Sequence, residues 1–182
     1  MSDKEIPQYI RSLPTNLGFN FVLSYKLGQD AIATLTPDKY SEVLGLTIEL
    51  ATKEFMTGKL ESAVSLFLTV VQLSEKINDY GSLVVTFSNL GIAFQNVRIY
   101  DVSLAFAKEG YRIAVEHNLL ELKLKVLKVI SLVYTNTQQR EKRMEVMEEV
   151  AETHGKLGQM DKKAEIEGLI KRSREFMAIL DK

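Results

Sequence analysis

From residue 43 onward the apolar residues fall at three- and four-residue steps, the period that gathers them on one face of an α-helix. Val43, Leu46, Leu50 and Phe55 make such a stripe over residues 43–56, and Ala63, Val64, Phe67, Val70, Val71 and Ser74 make another over 60–77. Thr36-Pro37 reads as the start of the first, with Thr36 as N-cap and Pro37 at the first helical position. Thr57-Gly58-Lys59 separates the two. The pattern then recurs. Val84, Phe87, Leu90, Gly91 and Phe94 line a helix over 82–97; Asp101 reads as the cap of the next, which carries Leu104, Ala107, Tyr111 and Ala114. Leu122, Val126, Ile130, Val133 and Tyr134 define a further helix, and Met144, Met147, Val150 and Ala151 its successor. A last one is expected over 162–180, capped by Asp161 and charged on most of its surface. No alternating strand pattern competes, so the fold class is all-α.

These stripes repeat at one fixed interval along the chain. Leu50, Leu90 and Ile130 align; Ala51, Gly91 and Ser131 follow as a column of small residues; Glu54, Phe94 and Tyr134 come three further on. Asn78, Asn118 and Gly158 each close a pair of helices. Asn and Gly adopt the left-handed backbone conformation that ends a helix more readily than other residues do. Three helix pairs are expected, at 41–79, 80–119 and 120–158, followed by a capping helix over 159–182. A single pair cannot bury its apolar face, so the pairs must stack. Residues 1–40 fit the register least well. A short helix is expected over 6–13, broken before Pro14, and a second over 16–35 with Phe19, Val22 and Ile32 apolar. This segment is expected to cover the first pair or to fold into a groove.

Composition narrows the chemistry. Lys and Arg number 23 against 24 Asp and Glu, which leaves no general basic field for nucleic acid. Cys is absent from the 182 residues, which excludes disulfides, thiolate metal sites and a cysteine nucleophile. The charged opening of residues 1–5 is unlike a secretory signal, and no apolar run is long enough to span a membrane. The expected compartment is the cytoplasm.

The repeat resembles the tetratricopeptide repeat. Leu90-Gly91-Ile92-Ala93-Phe94 carries the family's Leu-Gly and following aromatic, with Tyr100 at its next aromatic position. Gly58, Leu60, Ala63 and Phe67 match the turn and second helix of the first unit, and Ile130, Ser131, Tyr134, Met147 and Val150 keep size or polarity in the third. The usual unit is about 34 residues, shorter than the interval here, so this chain resembles the longer-unit members, as in bacterial peptide-sensing regulators and kinesin light chains. The resemblance implies a right-handed α-α superhelix, a solenoid whose concave face is lined by the first helix of each pair and holds a peptide or helix.

In that family register the inward positions of the first unit are Ile48, Glu49, Thr52, Phe55 and Met56. The second unit offers Ser88, Asn89, Gln95 and Asn96, and the third Lys125, Lys128, Thr135 and Asn136; these eight are the candidate partner-binding residues. Amides suit this task because each offers a donor and an acceptor to a peptide backbone. The carboxylate-holding set of the chaperone-binding members is only partly present: Asn89 and Lys125 match, but Ile48, Thr52 and Val129 stand at the other positions.

No Gly-rich phosphate loop occurs, and no nucleophile, base and metal set converges, so the chain is read as a protein-binding adaptor, chaperone or scaffold with no enzymatic activity and no cofactor. His117 reads as a helix-end residue, and His154 as part of a solvated face beside Glu148, Glu149 and Glu152. The paired carboxylates Glu148 and Glu149 are assigned to local pairs on a helix that also carries Arg140, Lys142 and Arg143. The alternative function is a self-associating protein, a homodimer joined through Phe19, Val22 and Ile32 or through Leu169, Phe176 and Leu180.

Overall fold

The computed structural model describes residues 6–15 and 17–180, apart from the side chain of residue 180. Residues 1–5, Asn16 (the expected start of the second N-terminal helix) and the Leu180 side chain offered as a dimer contact lie outside the described residues. Among the described residues the structure is all-helical. A short α1 (Gln8–Arg11) precedes α2 (Phe21–Ala33). A 3-10 turn at Pro37–Lys39 then leads into α3 (Tyr40–Met56) and α4 (Leu60–Ile77). α5 (Tyr80–Asn96), α6 (Tyr100–Glu116), α7 (Leu120–Asn136) and α8 (Arg140–Lys156) are 17 residues each, and α9 (Met160–Leu180) closes the chain. No helix among the described residues is long and apolar enough to cross a membrane.

The regularity of the stack lies in its turns. Gly58, Asn78, Arg98, Asn118, Gln138 and Gly158 follow one another at equal steps, and all have positive φ, between 51° and 77°. At every one, the following amide donates to the carbonyl five positions back, at 2.8–3.0 Å, as in Lys59 to Glu54 and Ile99 to Phe94. That is the Schellman closure, which satisfies carbonyls left open at a helix end. Six short turns built on this one closure set each helix antiparallel to the last. The starts of α3, α4, α6, α7 and α8 have no side-chain capping bond. Asp79 does cap α5, accepting from the Ser82 amide at 3.0 Å. Asp101 and Asp161, however, lie one residue inside α6 and α9, in the first turn, where a carboxylate favours the dipole without closing the helix. Thr36 stands at the head of the 3-10 turn and its side chain makes no capping bond.

Arginine and glutamine are poor left-handed residues, because their Cβ crowds the carbonyl there. Arg98→Gly and Gln138→Gly are each expected to stabilise the fold by about 0.5–1 kcal/mol, since both side chains are exposed and the conformation is fixed by the turn. Thermal melts of the two single variants and the double would check this. A lowered melting temperature would show that these side chains hold contacts their exposure does not suggest.

From α3 onward each helix packs against its sequence neighbours, and α5 and α7 also lie directly against each other. Gly91 permits that approach. A Cβ on it would stand 3.0 Å from Val129 Cγ1 on α7 and 3.3 Å from the Ser103 carbonyl on α6. The Ser103 hydroxyl fills the remaining space and donates to the Gly91 carbonyl at 2.7 Å. The core runs continuously through Phe67, Leu68, Phe87, Leu90, Phe94, Phe106, Val126 and Leu127.

The N-terminal segment departs from the repeating scheme. α2 lies along α4, where Gly28 lets it close in. A Cβ there would be 2.9 Å from Gln72 Nε2, and the Gln72 amide donates to the Tyr25 carbonyl at 2.9 Å. α1 crosses to α6, with Tyr9 edge-on to Phe87 and Phe21 against Phe94 and Phe106. The outer face of α3 is left open as a result. Leu50 is 47% exposed and Leu46 61%, whereas Leu90 and Ile130, at the equivalent positions to Leu50, are 0% and 5%. Phe19, Val22 and Ile32, one of the expected dimer faces, are packed inward: Ile32 joins Leu44, Val70 and Leu73 in a small separate cluster, and Phe19 and Val22 lean on the main core.

Candidate functional site

The eight candidate residues divide equally between α5 and α7. Ser88, Asn89, Gln95 and Asn96 stand on α5, and Lys125, Lys128, Thr135 and Asn136 on α7. Within the helices they recur at spacings of one, three and seven, on one side of a 3.6-residue period. Because α5 and α7 lie side by side, the two sets share one surface. Ser88 is buried and Asn89 and Gln95 half-buried, while Asn96, Lys125, Lys128, Thr135 and Asn136 are exposed. Val129, between Lys128 and Leu132, is buried against Gly91 and forms part of the seam between the helices.

Polar groups on this surface are uncommitted. Thr135 donates to the Ser131 carbonyl within its own helix at 2.8 Å. Among the described residues the side chains of Asn89, Gln95, Asn96, Lys125, Lys128 and Asn136 have no ion pair or hydrogen bond. The ring contacts of the N-terminal segment go to Phe87, Phe94 and Phe106, none of them on this surface. The first-unit positions are looser: Met56 is almost wholly exposed, and Ile48 and Phe55 are half-buried.

A polar cluster that the sequence does not disclose sits between units. Lys123 on α7 is buried, and its Nζ lies 2.7 Å from Glu149 Oε1 on α8 and 5.5 Å over the Tyr111 ring. The Tyr111 hydroxyl, on α6, donates to the same carboxylate. Burial pushes the Tyr111 phenol up to about 12, with the Glu149 hydrogen bond and charge adding to it. Glu148 pairs with Arg174 on α9. So the neighbouring carboxylates Glu148 and Glu149 tie helices together and are not matched locally to Arg140, Lys142 or Arg143. A Lys and a Glu as far apart in the chain as Lys123 and Glu149 leave no signature in a linear pattern, so only the fold exposes the pair.

Both histidines make contacts within the fold. His117 ends α6 and stacks on Tyr80 with ring centroids 3.4 Å apart. His154 Nδ1 lies 2.7 Å from Gln159 Oε1. Among the described residues no three His, Asp or Glu side chains are grouped to hold a metal ion.

The fold and this surface define an all-helical protein of sequentially packed antiparallel helices that presents an unpaired amide and ammonium face. Neither a family model, nor a curated protein, nor a solved structure matches the chain.

Proposed function

We propose that the chain is a tetratricopeptide-like solenoid, a right-handed superhelix of three helix pairs, that binds a partner protein as an adaptor, scaffold or chaperone. The α5–α7 face is then the concave wall, and its ligand is a peptide or helix laid across Asn89, Gln95, Asn96, Lys125, Lys128 and Asn136. One observation carries this reading: these side chains stand on two helices that lie against each other, and among the described residues none of them makes an ion pair or hydrogen bond. An amide left free in this way meets a peptide carbonyl and amide together, and the two lysines favour an acidic segment. No step of it calls for a cofactor or for catalysis, and the cytoplasm is the compartment proposed for it.

Asn89→Ala and Lys125→Ala are expected to weaken capture of the partner several-fold, with helicity and melting unchanged, because both sit outside the core. Affinity capture with wild type and the two variants checks this; identical recovery of one partner by all three would count against the face.

Self-association is the second reading, and the uncovered Leu46 and Leu50 on α3, with Leu23 and Leu27 exposed on α2, are what favour it. A dimer seen by sedimentation at micromolar concentration and abolished by Leu46→Lys would support that reading over the first.

A further inference from the structure

α8 and α9 border two grooves of opposite character. One is lined by Glu148, Glu152, Glu167 and Glu175 together with Lys163, Lys171 and Arg174, and is partly matched within itself, Arg174 to Glu148 and Lys163 to Glu167 at 3.7 Å. The other holds about 390 Å³ and is lined chiefly by Arg140, Arg143, Met144, Leu169, Arg172 and Phe176, with no carboxylate in its walls. Among the described residues none of its three guanidiniums has an ion pair or hydrogen bond. Its apolar floor is open: Phe176 is 60% exposed, and Leu169, Phe176 and Ile179 form one stripe along α9.

We propose that this groove takes an acidic amphipathic helix of a partner protein, its apolar side on Leu169 and Phe176 and its carboxylates on Arg140, Arg143 and Arg172. This deepens the reading of the α5–α7 face as a binding surface and rests on it. Leu169, Arg172 and Phe176 stand one full repeat after Val129, Leu132 and Asn136, so α9 extends the same wall in the repeat register. Charge selects the occupant. Three planar guanidiniums with no internal partner offer forked, two-bond contacts to carboxylates, and a cationic side chain among them would be repelled. Shape agrees, because an open channel between two helices receives a third helix through anchors three, four and seven positions apart. A second copy of this chain fits poorly: a two-fold contact here would set the three arginines of each copy against those of the other. A flat anionic bilayer would reach Phe176 and Ile179 at the rim without filling the channel between α8 and α9 that Arg140 and Arg143 line.

A random-peptide phage library panned on the full chain tests the assignment. Enriched peptides are expected to carry Asp or Glu beside apolar residues at helical spacing. A synthetic peptide of the consensus should bind at least about tenfold more weakly to Arg143→Glu/Arg172→Glu and to Phe176→Ala, with melting unchanged. Enrichment of neutral or basic peptides would overturn the proposal. So would phosphatidylserine-vesicle binding, or a sedimenting dimer, abolished by Arg143→Glu/Arg172→Glu in the absence of any enriched acidic peptide. If acidic peptides lose affinity with Asn89→Ala/Lys125→Ala but not with Arg143→Glu/Arg172→Glu, the α5–α7 face stands and the α8–α9 groove is rejected. If they ignore both pairs, both readings fall.

Discussion

Phe106→Ala is expected to lower the free energy of unfolding by about 3–5 kcal/mol, a large share of what a domain of this size possesses. Phe106 is fully buried, and its ring centroid lies 6.1 Å from Phe21, 6.3 Å from Phe87 and 5.8 Å from Phe94. Those rings come from α2 and α5, so the walls of the resulting cavity are anchored to different helices and cannot collapse inward without moving them. Little of the lost volume is recovered in such a site, which places the cost at the upper end of the range. Urea unfolding followed by circular dichroism measures it. The same variant should loosen α1 and α2 preferentially, because Phe21 reaches the second helix pair through this cluster. Faster amide exchange across residues 21–33 than across α7 would show that. A loss below about 1 kcal/mol would mean the ring cluster is not where the two parts are joined.

How much of this arrangement is legible beforehand differs by level. Helix existence and the turn at Asn78, Asn118 and Gly158 follow from residue chemistry, because apolar spacing and left-handed preference are local properties. Arg98 and Gln138 take the same conformation with side chains that do not advertise it; the equal step from Gly58 to Asn78, carried forward, is the available signal. Leu50 shows the opposite limit. Its column with Leu90 and Ile130 marks it as core, yet it is half exposed, because α2 follows α4 in place of covering α3. That choice depends on Gly28 meeting Gln72, a contact between distant parts of the chain that no periodicity encodes. The candidate site is legible as a set of positions on two helices, while Ser88 is buried for a reason only packing supplies. Exposure at each register position is decided by the neighbouring element, and the neighbour is a tertiary fact.

The cluster joining Tyr111, Lys123 and Glu149 carries the second large effect. Glu149→Leu is expected to cost about 2–4 kcal/mol, because the Lys123 ammonium, with 9% of its side chain exposed, keeps its charge and loses its counterion. Glu149 itself is 29% exposed, so water returns part of the loss and the lower half of that range applies. The double change Lys123→Met/Glu149→Leu should recover to within about 1 kcal/mol of wild type, since an apolar pair of similar volume replaces an ion pair that was costly to desolvate. If the double variant is as weak as Glu149→Leu alone, the packing of these side chains matters and not their charge. The same cluster sets an alkaline limit. The Tyr111 phenol is raised from 10.0 to about 12, first by burial and then by the hydrogen bond to Glu149. A raised acid favours the protonated form in the folded state. Its contribution is therefore complete below about pH 10 and disappears as pH climbs through 12. Tyr9 and Tyr25 are raised in the same direction, chiefly by burial, so stability should fall steeply on that side. Tyr111→Phe should make the fall shallower in this window. Titration of phenolate absorbance, with unfolding followed in parallel, resolves the two: a Tyr111 that ionises near its ordinary value without loss of structure would remove the cluster from the account.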